Sequence, residues 1–283
     1  MIASTSKNAS LPLGDEYIVV GDVHGCVDEL KQLLRQNGFI INLDGLIDIS
    51  TTQSKSIILL GDFVDKGSHL KITETIEFIY KNYLHLNKER QSLYLVMGNH
   101  EMMVERFISN DKSLELTPKR LIEKEKYYNT VDLLEHDIEL RDKFLEIYSW
   151  CYPWLKYNYS EDFSVTLTHA PCQEQYLAKE DMNSYKKMIK SASRSKNIGL
   201  KLDKLLSYTH IEAKENQHYH IFGHLSQPNI RQYKNRICID TSAIYGNALS
   251  CAVIKGDNLS FDSVKFLGEQ KPATQIYNLL FDF

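Results

Sequence analysis

The chain has 283 residues, 43% hydrophobic and 25% charged, with a formal net charge of −4. That length buries a sizeable core, as one α/β domain or two small ones, and the composition is that of a globular protein. The slight acidic excess excludes broad attraction to nucleic acid or an anionic membrane, and no apolar run of about 18 residues is present to span a bilayer.

Residues 1–14 are polar and small, without the apolar stretch of a secretory signal. The expectation is a flexible tail, then a single catalytic domain over 15–283, in the cytoplasm, with signal-less export as the alternative. The cysteines (Cys26, Cys151, Cys172, Cys238, Cys251) are odd in number and lack C-x-x-C spacing, so free thiols are expected.

Residues 17–21 read as a buried strand ending on Asp22-Val23-His24-Gly25, and 27–36 carries Leu30, Leu33 and Leu34 at helical spacing. Asp22 and His24 stand two apart, so on extended backbone they share a side and can converge on one ion. The second strand, Ser56-Ile57-Ile58-Leu59-Leu60, stops at Gly61 and delivers Asp62 and Asp65 to its carboxyl edge, where ligands bind in open α/β sheets. No Lys or Arg lies inside that apolar run to compensate a buried aspartate, which points to a metal ion. A helix follows over 70–86, with Ile72, Ile76 and Ile79 on one face. A third strand over 93–97 leads through Gly98 into Asn99-His100-Glu101, the start of another helix, whose N-terminus favours anions. Strand and helix alternate three times, which implies a parallel sheet.

Residues 102–150 read as a charged helical insertion ending in an aromatic cluster expected to pack. Short strands are expected at 155–159 and 163–168, the second ending at His169. The polar stretch 176–208 carries a run of lysines that reads as a solvated face, with docking of an acidic substrate as the alternative. Strands over 218–222 and 236–240 end near His224 and Asp240, and two more are expected at 249–255 and 259–267. The remaining histidines, His218 and His220 among them, lack a partnering motif and are expected in packing or surface roles.

The polar residues at strand ends are Asp22, His24, Asp62, Asn99, His169 and His224. Carboxylate, amide and imidazole donors without thiolate suit Mn²⁺, with Fe or Zn²⁺ as alternatives. They exceed the needs of one catalytic ion and fit two divalent ions sharing a bridging carboxylate. Such a pair, about 3.5–4 Å apart, can hold a bridging hydroxide as nucleophile and bind two oxygens of a phosphoryl group. His100, beside Asn99, is placed to protonate the leaving oxygen, Asp65 to hold its imidazole, and Lys66 to face the phosphate.

The ordered set Gly21-Asp-Val-His-Gly25, Gly61-Asp-Phe-Val-Asp-Lys-Gly67 and Gly98-Asn-His-Glu101, then His169 and Gly223-His224, resembles the phosphoprotein-phosphatase branch of the calcineurin-like metallophosphoesterases, in a bacterial form, over about residues 17–255. The resemblance implies a four-layer α/β/β/α sandwich with the dinuclear site between two sheets. It implies that Asp22 and His24 bind the first metal, that Asp62 bridges, and that Asn99, His169 and His224 bind the second. His100 is then the general acid, Asp65 its partner, and Asp240 lies near the metal pair. Lys66 stands where most of the branch has Arg, keeping the charge without the two-pronged grip. Asn99 also faces the phosphate, and Arg194 is assigned as a further phosphate contact.

The implied activity is hydrolysis of phosphomonoesters, foremost on phosphoproteins at Ser/Thr, with Tyr next. A second reading is cleavage of a diadenosine polyphosphate or an RNA-end phosphate; a third is a metal-binding scaffold of the same fold without chemistry. The expected partner is a phosphorylated protein or a small phosphoester, with no extended nucleic-acid surface and no membrane.

Overall fold

The structure, a computed structural model, describes residues 9–109, 117, 122, 124–125, 127–190 and 212–268. The three strand-to-glycine segments form the parallel centre of a five-stranded sheet, with β1 (Glu16–Val20) beside β2 (Lys55–Leu59) and β2 beside β3 (Leu93–Leu95). The helices that follow them are α1 (Val27–Gln36), α2 (His69–Leu86) and α3 (Asn99–Ile108). Two more helices, α4 (Asn129–His136) and α5 (Ile138–Trp150), complete the helical insertion among the described residues.

A second five-stranded sheet contains β4 (Leu155–Asn158), β5 (Phe163–Thr168), β6 (Gln217–Phe222), β7 (Arg231–Tyr233) and β8 (Arg236–Cys238), in the order β4-β5-β6-β8-β7. A helix, α6 (Met182–Ile189), lies between β5 and β6 in the chain. The hairpin of β9 (Ala248–Lys255) and β10 (Asn258–Lys265) then returns to the first sheet, antiparallel on the free edge of β1. The parallel expectation therefore holds for β1 to β3, and the first sheet as a whole is mixed.

Side-chain alternation sorts the two sides of the first sheet. Ile18, Val20, Ile57 and Leu59 pack with Leu30, Leu33 and Leu34 of α1 and Ile72, Ile76 and Ile79 of α2. Tyr17, Val19 and Ile58 face the second sheet, where they meet Tyr157, Val165, Leu167, Ile221 and Ile237. Both faces are covered, so these strands read as continuous apolar runs, and each buried aliphatic contributes about 1.5–3 kcal/mol. Trp150, at the end of the insertion, stacks on Tyr83 with ring centroids 4.1 Å apart, the packing role expected for that cluster.

Residues 9–11, expected in a flexible tail, are fixed. Ala9 and Leu11 are buried, and they flank Lys156 with backbone bonds of 2.8 Å, protecting the edge of β4. The strand-end residues of both sheets meet at one place, where the loops after β1, β2, β3, β5 and β6 converge.

Candidate metal centre

Asp62 follows β2 by three residues and adopts a left-handed backbone (φ 51°), as do His24 (43°), Asp65 (66°), Lys66 (64°) and His224 (67°). Positive φ at a non-glycine residue costs about 1–3 kcal/mol, so five in one cluster require fixed surroundings. Those surroundings are visible. The backbone N–H groups of Val23 and His24 donate to the Asp62 carbonyl at 3.1 and 2.8 Å, locking the β1 and β2 loops together. Gly61 and Gly98 touch backbone to backbone: a Cβ on Gly61 would lie 2.5 Å from the Gly98 nitrogen.

The carboxylate of Asp62 is buried, and its two oxygens face different imidazoles. Oδ2 lies 3.5 Å from His24 Nε2 and 3.8 Å from His100 Nε2, whereas Oδ1 lies 3.3 Å from His169 Nε2. His24 Nδ1 donates to the Val64 carbonyl at 2.8 Å and His169 Nδ1 to that of Leu60 at 2.7 Å. Those bonds fix both rings with Nε2 turned inward, which is how metal-binding imidazoles are commonly oriented. The result is two donor triads with a common member: His24, Asp62 and His100 on one side, and Asp62, His169 and His224 on the other, with the donor atoms of each triad within 4.8 Å of one another. Asn99 joins the second side, its Oδ1 lying 3.0 Å from His169 Nε2.

Asp22, expected beside His24, is buried but accepts the His224 backbone N–H on both oxygens at 3.1 Å. Asp240 is also buried and accepts the Ser242 N–H at 3.0 Å. Burial pushes the Asp22 carboxyl well above the usual carboxylate range, and the negative charge of Asp240 adds to this. Burial likewise raises Asp240. Asp62 behaves oppositely: burial opposes its charge, but His169, His100 and His24 hold it well below the usual range. His169 is pushed up to about 10, because the carboxylates of Asp62 and Asp22 outweigh its burial.

Burial, then the Lys66 charge, drive His24 down, so it stays neutral. The Lys66 ammonium sits 2.9 Å from His24 Nε2 and remains charged despite burial, because Tyr245, Asp62, Asp240 and Asp22 raise its pKa. A side-chain cation thus already occupies the acidic side of this cluster. Arg194 lies outside the described residues.

His100 and Asp65 form the pair expected from sequence. His100 Nδ1 is 2.6 Å from Asp65 Oδ2, which leaves Nε2 directed at the Asp62 side. Two contributions were not read from the sequence. Glu101, fully buried, accepts the backbone N–H groups of Asp62 (2.8 Å), Phe63 (2.7 Å), Val64 (3.3 Å) and Gly98 (3.1 Å), and so shapes the loop that carries the shared carboxylate. A Glu three residues after the N-cap Gly98 is the glutamate half of a capping box, which could have shown the bond to the Gly98 N–H but not those to Asp62, Phe63 and Val64. The start of α4 provides the other. Asp65 N–H donates to Thr130 Oγ1 at 2.9 Å, Thr130 N–H to Asp65 Oδ1 at 3.0 Å, and Lys66 N–H to Asn129 Oδ1 at 2.9 Å. No sequence signal joins residues so far apart in the chain.

A phosphoesterase family description, "Calcineurin-like phosphoesterase", matches residues 17–235, which include every residue of the two triads. The chain belongs to the calcineurin-like phosphoesterase family. It is a phosphoric ester hydrolase with residues able to bind divalent metal. A bis(5'-nucleosyl)-tetraphosphatase PrpE [asymmetrical] of Oceanobacillus iheyensis is 27% identical over 245 residues, covering 82% of this chain and 86% of that protein. Another of the same description, from Halalkalibacterium halodurans, is 24% identical over 89% of this chain and 92% of its own length. Among solved structures, a putative diadenosine tetraphosphatase superposes with a TM-score of 0.59 at 17% identity, over 92% of this phosphoesterase and 98% of that chain. A cold-active protein-tyrosine phosphatase of a Shewanella species superposes with a TM-score of 0.54, also at 17% identity, over 92% of this chain and 83% of that one. At that identity the two structures support the shared fold alone.

Proposed function

We propose that this phosphoesterase hydrolyses a dinucleoside polyphosphate, using two divalent cations held in common by Asp62. The observation that carries the chemistry is the division of the Asp62 carboxylate, one oxygen facing His24 and His100 and the other His169. The substrate class rests on relatives of nearly full-length coverage whose names are those of tetraphosphatases. They favour this reading over action on phosphoproteins, the foremost expectation from the motifs.

The residues fit the cations. The Nδ1 bonds of His24 and His169 turn their Nε2 atoms inward, carboxylates and an amide supply oxygen, and the Lys66 ammonium beside His24 is itself a positive charge held in this cluster. His24 and Asp22 would hold one ion, Asn99, His169 and His224 the other, with Asp62 between. Oxygen and imidazole donors without thiolate favour Mn²⁺. Bound there, the ions would supply an acidified water as nucleophile and positive charge for the phosphoryl oxygens.

The chain's own groups do the rest. His100, held by Asp65, gives its Nε2 proton to the phosphate oxygen that leaves. The ammonium of Lys66 and the amide of Asn99 face the transferred group. The buried, unpaired thiols of Cys26, Cys172, Cys238 and Cys251 suit a reducing cytoplasm.

A substrate panel tests this reading: diadenosine tetraphosphate, a phosphoserine peptide, a phosphotyrosine peptide and 5'-triphosphorylated RNA, each with Mn²⁺. The dinucleotide is expected to give the highest kcat/KM. A phosphopeptide turned over faster than the dinucleotide would overturn the substrate assignment while leaving the metal chemistry intact.

A further inference from the structure

His24 Nδ1 lies 2.8 Å from the Val64 carbonyl, which can only accept, so the ring carries its hydrogen there. Its Nε2 lies 2.9 Å from the Lys66 ammonium, which can only donate. The one lone pair that His24 turns into the cluster therefore accepts from Lys66. A ring nitrogen with a single lone pair serves a hydrogen or a metal, not both, so the contact that holds Lys66 is the contact that His24 would give to a cation.

The main chain of Lys66 is fixed. Its N–H donates to Asn129 Oδ1 at 2.9 Å, Asn129 Nδ2 donates to the next carbonyl, that of Gly67, at 2.8 Å, and its own backbone is left-handed (φ 64°). Any movement of the charge falls to the side chain, whose four methylenes let the ammonium leave His24 without leaving the cluster. The buried ring of Tyr245, with its centroid 5.5 Å from Nζ, offers a second seat for it. Asp22, Asp62 and Asp240 are all buried here, and such a group of carboxylates requires a positive partner. A divalent ion at His24 would satisfy the same carboxylates and repel the ammonium.

We propose that Lys66 is a tethered competitor for the His24 metal position: its ammonium holds the lone pair until a divalent ion takes it, and then turns to the phosphoryl group. The proposal rests on the two-cation reading above and adds that filling the His24 side and freeing the phosphate contact are one event. Lysine suits this part better than arginine, because a point charge on a flexible stem engages one lone pair and releases it, whereas a guanidinium fork binds as a plane.

The test is calorimetric titration of the full-length protein, freed of metal by chelation, with Mn²⁺. Two steps are expected in the wild type, and His24→Ala identifies, by its loss, the step that belongs to His24. Lys66→Met should tighten that step at least about tenfold more than the other, the weight of a hydrogen bond from a charged donor. Lys66→Gln, whose amide still donates but carries no charge, should tighten it less. A second measurement needs no variant: in ¹⁵N spectra of the chelated wild type, His24 should carry its hydrogen on Nδ1, and on titration with diamagnetic Zn²⁺ the Lys66 ammonium resonance should move in the same step as His24 Nε2. A Lys66 resonance that stays still while His24 Nε2 binds zinc, or equal affinities for the His24 step in wild type and Lys66→Met, would overturn the proposal and leave the two-cation reading intact. A wild type without a step that His24→Ala removes would overturn both.

Discussion

His100 and Glu101 are adjacent, both buried, and do different things to Asp62. His100 is held by Asp65 at 2.6 Å with its other nitrogen facing Asp62, the arrangement of a proton donor. His100→Ala should therefore lower kcat by about 10²–10⁴ on substrates with a poor leaving group and by much less on an activated aryl phosphate, read from steady-state kinetics on the two substrates. Equal losses on both would remove it from proton transfer. Glu101 uses its carboxylate to receive four backbone N–H groups around Asp62. Burial and the nearby Asp62 push its pKa up to about 7, while those donors favour the charged form. A glutamine offers one acceptor oxygen for the same donors, so Glu101→Gln should cost about 2–3 kcal/mol in denaturant unfolding.

At the scale of elements, the strand-to-glycine segments were legible because burial on both faces leaves a local trace: an unbroken apolar run that stops where the acids begin. Helix α1 was legible for the same reason, through Leu30, Leu33 and Leu34. The pairing of β9 with β1 and the three-residue strand β7 were not, because strand partners and very short strands carry little local pattern. Nor did sequence show the outward direction of His220, which depends on which face of β6 meets the other sheet. The least legible contribution is that of α4, whose first residues hold Asp65 and Lys66 in their left-handed conformations. Thr130→Val would leave the buried Asp65 N–H without its acceptor, a cost of about 1–3 kcal/mol. It should lower kcat with little change in KM, since Asp65 orients His100; an unchanged kcat would make the clasp purely structural.

For the whole molecule, the convergence of five loops concentrates Asp22, Asp62 and Asp240 in a buried site balanced by His169 and Lys66. No helix among the described residues is long and apolar enough to cross a membrane. The proton on His169 has a defined consequence. Its folded pKa, about 10, lies above the unfolded value of 6.5, so its stabilisation of the metal-free fold is complete below pH 6.5 and is lost as pH rises through 10. A cation bound at His169 Nε2 must displace that proton. Metal affinity should therefore rise roughly tenfold per pH unit between pH 7 and 9, with proton release measurable by titration in buffers of different ionisation enthalpy. A pH-independent affinity would mean that His169 is not a ligand.

Sharing of Asp62 by two cations is tested most directly by metal stoichiometry in the wild type and in Asp62→Asn. Equilibrium dialysis against Mn²⁺ should show two ions per wild-type chain, and the single substitution should weaken both by at least about 100-fold. One ion per wild-type chain, or an Asp62→Asn protein that still holds one ion at wild-type affinity, would contradict a carboxylate common to both.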